Sequence, residues 1–190
     1  MAVLTSERLT LRPFTQRDVP AILALLSDPV VNTFLPWYPL KTEAEAQTFY
    51  QERLRGPYCW AICLQDRLRG TDVPRGYIKV SPQAPYDLGY ALGQAYWHQG
   101  LTSEAGAAVM EYVRAAGLPY VTATHDRHNP RSGQVLQRLG LKYCYSYREQ
   151  WQPKNISVVF RLYQLNFSAP EALVYRGYWE RYTEHWVEEL

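Results

Sequence analysis

Cysteine is scarce in this sequence. Only three occur in 190 residues. Cys59, Cys63 and Cys144 are an odd number at no metal-ligand spacing, so neither a disulfide framework nor a metal site is expected from them. Cys59 and Cys63 fall on one face of a strand and read as small buried hydrophobes. Blocks of like charge are also absent. Twenty basic residues stand against 18 acidic, for a net charge of +2, which argues against a nucleic-acid footprint. No stretch approaches the roughly 20 apolar residues that span a bilayer. Met1 to Arg12 alternates polar and apolar residues and lacks the apolar core of a signal peptide. These absences point to a cytoplasmic protein that binds no metal, no nucleic acid and no membrane.

What is present suits one domain: 47% hydrophobic and 20% charged residues, in a chain long enough to bury a core unaided. Leu4 to Phe14 reads as one strand, with Leu9 and Leu11 on one face. Thr15 and Asp18 form a capping box for a helix ended by Asp28-Pro29. Phe34, Trp37 and Tyr38 lie among prolines in the loop Val30 to Leu40. Thr42 caps a helix from Glu43 to Arg55. Strands follow at 58–64, 74–80 and 86–92, with a polar turn from Gln65 to Asp72. A helix spans Gly100 to Gly117, a strand Tyr120 to Thr124 and a helix Asn129 to Leu139. The last strands are Leu141 to Tyr147 and Ser157 to Leu165. Beyond Asn166, Tyr175, Tyr178, Trp179, Tyr182 and Trp186 recur at helical spacing. Residues 167–190 are therefore expected to be an aromatic amphipathic helix capped by Ser168, acting as an intramolecular lid or a dimer seam on a domain of residues 1–166.

The chemistry concentrates in Asp87 to Ala105, DLGYALGQAYWHQGLTSEA. A strand ends at Gly93 and a helix begins near Gly100. The free amides and positive dipole end of a helix start suit a phosphate. Gly100 admits a ligand close to the backbone, and Thr102 and Ser103 add hydroxyls. No P-loop lysine follows, so a pyrophosphate held without phosphoryl chemistry fits better than a nucleotide hydrolase.

A second segment, NPRSGQVLQRLGL, places Asn129 and Ser132 in the first turn of another helix. Together with ERLTLRPFTQRDV, PVVNTFLPW, DLGYAL and WHQGLTSEA, it resembles the GNAT superfamily of N-acyltransferases, in its ribosomal-protein acetyltransferase (RimJ/RimL-like) branch. The resemblance implies an α/β (α+β) fold with a mixed, largely antiparallel sheet, helices on both faces, and two central strands splayed into a V that holds acetyl-CoA. It implies pantetheine pairing with the backbone of Tyr90, Ala91 and Leu92, and a pyrophosphate on Trp97, His98, Gln99, Gly100, Leu101, Thr102 and Ser103. Asn129 would bond the pantetheine arm, and Arg131 or Arg138 would meet the 3′-phosphate. Trp97 and Thr102 depart from the general Gln/Arg and Gly/Ala positions of the family pattern, though a tryptophan is usual in this branch.

The resemblance further implies direct transfer of acetyl to a primary amine in a ternary complex. The tyrosine that protonates the leaving thiolate in many relatives falls on Leu136 here, which leaves Ser132 as the acid. Asp87, His125 and Glu149 are the candidate bases, and a water chain is the alternative. Phe34, Trp37, Tyr38 and Trp151 are the expected acceptor walls. The acceptor is a protein N-terminus or a small amine. A non-catalytic acyl-CoA sensor or interaction module is the competing class.

Overall fold

The computed structural model describes residues 2–65 and 72–189. In chain order its elements are β1 (Leu4–Thr5), β2 (Leu9–Arg12), α1 (Val19–Leu26), α2 (Glu43–Phe49), β3 (Cys59–Leu64), β4 (Pro74–Val80), β5 (Leu88–Leu92), α3 (Leu101–Ala115), β6 (Tyr120–Asp126), α4 (Pro130–Arg138), β7 (Lys142–Trp151), β8 (Ile156–Asn166), α5 (Gly177–Arg181) and β9 (His185–Trp186). The expected first strand is two strands. Ser6 donates its amide to the Leu9 carbonyl at 2.9 Å, and the chain turns back so that Leu4 pairs with Leu11. The polar turn expected over 65–72 lies, from 66 to 71, outside the described residues.

Two sheets result. One runs β1-β2-β3-β4-β5 and the other β6-β8-β7-β9, and every ladder between neighbouring strands is antiparallel. A shared core covers one face of both. Leu9, Leu11, Trp60, Ile62 and Ile78 of the first sheet and Val121 and Ala123 of the second pack against Ala105, Val109 and Val113 of α3 and Leu136 of α4. Each such aliphatic side chain contributes about 1.5–3 kcal/mol when fully buried. The opposite face is divided. Helices α1 and α2 cover the first sheet, with Ile22, Leu26, Phe49 and, from the π-helical turn that continues α2, Leu54 against Cys59, Cys63, Tyr77 and Ala91. Burial pushes both the Cys59 and Cys63 thiols up to about 12, which keeps them inert hydrophobes.

The tail corrects an expectation. Residues 167–190 are not one helix: a five-residue turn of helix, α5, precedes a strand, β9. Side-chain amides compete for the backbone that a helix would need. Gln164 takes the Leu173 carbonyl and the Tyr175 amide at 2.9 and 2.8 Å, and Asn166 takes the Pro170 carbonyl at 2.8 Å. The Pro119 carbonyl faces the amides of Phe167, Ser168 and Ala169. Tyrosine and tryptophan are also indifferent helix formers that suit strands. The aromatic stripe still gathers, because Tyr175, Tyr178, Trp179 and Tyr182 pack on Tyr145, Tyr147, Val158 and Phe160. Tyr178 and Tyr182 each stack on Tyr147 at 4.9 Å. Strand β9 then pairs with the outer edge of β7.

The predicted capping box at the entry to α1 has a further partner. Asp18 accepts from the Thr15 amide at 2.7 Å and hydroxyl at 3.0 Å. The Arg12 guanidinium meets both its oxygens at 2.8 Å. Burial raises the Asp18 pKa, but Arg12 and Thr15 together outweigh it and hold the carboxyl below its usual range. Asp18→Ala leaves a nearly buried guanidinium without its bidentate partner and is expected to cost about 3 kcal/mol in chemical denaturation. A depressed carboxylate stabilises the fold above its unfolded pKa and stops doing so as pH falls through the folded one. The gap between wild type and the variant should therefore close as the pH falls below about 4.

Candidate active site

Among the described residues the two sheets are joined through their backbones at one parallel bridge, Asp87 to Thr122, where the Thr122 amide donates to the Tyr86 carbonyl at 3.3 Å. Past it, β5 and β6 run in the same direction but part. The register of β4 on β5 decides which backbone groups face the gap. Gly93 donates to Arg75 and Ser81 to Asp87, so the groups of Gly89 and Ala91, two and four residues on, point to β4. The Leu88 amide turns to Thr122 at the bridge, and the groups of Tyr90 and the Leu92 amide point into the opening. This corrects one expectation: the backbone of Ala91 is spent on Tyr77 of β4, which leaves Tyr90 and the Leu92 amide to the gap.

The open end of the gap meets α3. Gly100 precedes the helix at φ +75°, a left-handed conformation that favours glycine. The first helical bond is Glu104 amide to Gly100 carbonyl, which leaves the amides of Leu101, Thr102 and Ser103 free of intrahelical partners. Gln99 and Gly100 are exposed, Leu101 is buried, and the Ser103 hydroxyl is buried with no partner. His98 is exposed at φ +62°. Trp97 turns inward, its indole donating to the Leu92 carbonyl at 2.7 Å, so it fastens the loop to β5. Arg8, which the sequence did not single out, fastens the other side: it donates to the Gln99 carbonyl at 2.9 Å and pairs with Glu104 at 2.6 Å. Glu104 also accepts from Ser6 and from the Arg8 amide, the structural role expected of it.

The start of α4 lies across the gap. Asn129 is its N-cap, accepting from the Ser132 amide. The Ser132 hydroxyl lies 2.7 Å from the phenol oxygen of Tyr90, so β5 and α4 are joined by side chains. His125 does not share this space. It is 4% exposed, beneath α4, where a Cβ on Gly133 would come within 2.8 Å of its Nε2. Its Nδ1 is engaged by the Asp126 carbonyl at 2.7 Å and its Nε2 has no partner. Burial lowers its pKa, so the ring is neutral and sealed in, which sets it aside as an open base.

Asp87 stands at the closed end, on the face of α1 and α2. The residue is half-buried, yet its Oδ1 is shut from solvent with no partner. Burial raises its pKa to about 7, against the pull of Lys79 and of the Thr122 hydroxyl. Lys79, lowered chiefly by burial, flanks Gly89 on the neighbouring strand. The charge of Asp87 also reaches Tyr147 and Tyr178, and so does that of Glu149. One carboxyl poised near neutrality, a second acidic side chain, a half-buried lysine and two phenols therefore share one field. The sequence offered Asp87 and Glu149 but no sign of Lys79, Tyr147 or Tyr178, which converge only through the tertiary fold.

The expected acceptor walls divide. Trp37 packs edge-on against Phe49 at 4.8 Å, under the Arg53 guanidinium, and Trp151 packs edge-on against Phe160 at 5.1 Å. Phe34 and Tyr38 are exposed. The loop that bears them reaches the β7–β8 turn, where Tyr38 donates to the Pro153 carbonyl at 3.3 Å and Lys154 to the Asn32 carbonyl at 2.6 Å.

Comparison with known proteins gives the family. Residues 8–142 match the acetyltransferase (GNAT) domain. An uncharacterized N-acetyltransferase of Bacillus subtilis, YnaD, is 27% identical over 145 residues, covering 73% of this chain and 82% of its own. The [ribosomal protein uS5]-alanine N-acetyltransferase of Escherichia coli is 39% identical over 56 residues, 29% of either chain. RimL, a ribosomal L7/L12 α-N-protein acetyltransferase solved in complex with coenzyme A, superposes with a TM-score of 0.70 over 89% of this chain and 100% of its own, at 17% identity. The chain belongs to the GNAT family of acyl-CoA-dependent N-acetyltransferases, and its likeness within that family is to the RimJ/RimL-like branch.

Proposed function

We propose that this enzyme transfers acetyl from acetyl-CoA to the α-amine of a polypeptide N-terminus, by direct attack in the gap between β5 and β6. The pantetheine arm lies along the free backbone of Tyr90 and the Leu92 amide like an added strand. The pyrophosphate rests on the amides of Leu101 to Ser103, with Gln99, Gly100 and the Thr102 hydroxyl around it. Asn129 is left with its side-chain Nδ2 to offer the arm. Binding both reactants in one cleft supplies much of the rate through orientation.

The observation that carries the choice of amine is the carboxyl of Asp87, with its pKa near 7. An α-ammonium has a pKa of about 8 and a lysine ammonium one of about 10.4. Asp87 can take a proton from the first at a cost of about 1.4 kcal/mol, and from the second only at more than three times that. The names of the uS5-alanine enzyme and of RimL agree with an α-amine. Asp87 is the base in this reading, Glu149 helps hold the ammonium, and Ser132 protonates the departing sulfur. The acceptor enters from the divided face, between the Val30–Leu40 loop, with Phe34, Trp37 and Tyr38, and the segment Tyr147 to Trp151.

Asp87 must be ionised to accept a proton, so kcat/KM for the acceptor should rise with pH through about 7. Asp87→Asn should remove that limb and about 100-fold of the rate. Lys79 pulls the Asp87 pKa down, so Lys79→Met should shift the rise to higher pH. A profile that is unchanged in both variants would assign the proton to another group. The acceptor class is read by thiol release across a panel of peptides with free or blocked N-termini, lysine side-chain amines and small amines. Turnover confined to small amines would overturn the polypeptide assignment.

Substituting Gly100→Glu puts a side chain and a negative charge on the open side of the proposed phosphate loop, where a Cβ meets nothing nearer than Arg8 at 3.7 Å. Calorimetry should show acetyl-CoA binding weakened at least about tenfold, with the fold kept apart from roughly 1 kcal/mol of backbone strain. Unchanged affinity would move the phosphate elsewhere.

A further inference from the structure

Leu136, where the family resemblance implies a phenolic acid, is 1% exposed in the core and offers no proton. A phenol nevertheless reaches the same helix from another element. Tyr90 projects from β5, and its oxygen lies 2.7 Å from the Ser132 Oγ and 3.2 Å from the Ser132 carbonyl oxygen. The Ser132 backbone is set in the first turn of α4, its amide capped by Asn129.

The hydrogens in this cluster can be counted. Each hydroxyl carries one, and the carbonyl only accepts. If the serine hydrogen points at Tyr90, the phenol hydrogen must go to the carbonyl, and no donor is left for a ligand. If the phenol hydrogen points at Oγ, the serine hydrogen is released toward any acceptor that enters the gap. A developing thiolate is such an acceptor, and it selects the second arrangement. Burial holds the Tyr90 phenol up to about 12, so it keeps its hydrogen throughout the neutral range.

We propose that Tyr90 is a positioning residue that acts through Ser132, donating to its Oγ so that the serine hydrogen is aimed at the sulfur leaving acetyl-CoA. This rests on the acetyl-transfer reading above. The nitrogen–carbon bond forms as the carbon–sulfur bond breaks, and the bonding pair leaves with sulfur. Sulfur takes the Ser132 proton, the serine oxygen takes the Tyr90 proton, and solvent returns one to the phenolate. The acceptor ammonium gives up two protons, the first to Asp87, so the sum is acetyl-CoA plus ammonium giving amide, free thiol and one proton. The serine supplies the reach and the tyrosine the more acidic hydroxyl behind it.

The test is a double-mutant cycle on the full chain. Wild type, Tyr90→Phe, Ser132→Ala and the double variant are compared with acetyl-CoA and the acceptor that wild type turns over fastest. Tyr90→Phe should lower kcat about tenfold, with acetyl-CoA affinity by calorimetry unchanged within about twofold. In the Ser132→Ala background the same change should cost less than about twofold, because the group it acts through is gone. Fluorotyrosine at position 90, which keeps both ring and hydrogen, should restore kcat to at least about half of wild type and also guards against a folding defect. A Tyr90→Phe kcat within twofold of wild type, an equal loss in both backgrounds, or a loss of acetyl-CoA affinity instead would each overturn the role. Full turnover in Ser132→Ala and Asp87→Asn would instead remove the acetyl-transfer chemistry proposed for this cleft. A silent Tyr90→Phe beside a damaged Ser132→Ala would remove the tyrosine alone.

Discussion

Backbone pairing between the two sheets stops after one bridge, Asp87 to Thr122, and the rest of the site follows from that interruption. A sheet that stayed paired here would satisfy its own amides and carbonyls and leave nothing to read a ligand. Because β5 and β6 part, donors and acceptors on β5 stand unpaired within the molecule, where leaving such groups unsatisfied costs about 1–3 kcal/mol each. Water or a strand-like ligand must meet them. The same junction fixes Asp87 at the closed end and leaves the helix starts of α3 and α4 at the open one.

Packing keeps the strands apart. On one face the core is continuous, and α3 and α4 wedge against both sheets at once. On the other face there are two separate clusters, one under α1 and α2 and one under the tail. The continuous side supplies rigidity and the unpaired amides at the start of α3. The divided side leaves a seam, along which Lys79, Asp87, Glu149, Tyr147 and Tyr178 influence one another.

Much of the fold could be read from local patterns. Strand β4 falls over Pro74–Val80 as expected, and the apolar spacing of α3 gives Ala105, Val109 and Val113 at 0% exposure. The glycine-led start of α3 was visible because Gly100 and the helix after it are a local motif. The tail was misread because the spacing of its aromatics matches a helix, while the groups that prevent one, Gln164 and Asn166, sit on β8. His125 looked like a base on its intrinsic pKa, and only the approach of Gly133 shows it sealed. Tyr90 was read for its backbone alone, since nothing near it in sequence points to Ser132. Each miss is a side-chain contact made between elements, from the next loop to 42 residues away for Tyr90 and Ser132, to which periodicity is blind.

The tail also governs how this molecule treats its neighbours. Strand β9 occupies the rim of the smaller sheet, and Glu188 continues around it to pair with Arg161 and accept from Ser146. An uncovered rim next to Tyr145 and Tyr147 would offer other copies both unpaired backbone and a greasy aromatic face, the combination that seeds aggregation. Residues lying outside the matched catalytic domain thus act as a selvedge, finishing the cloth so that it does not catch on the next piece.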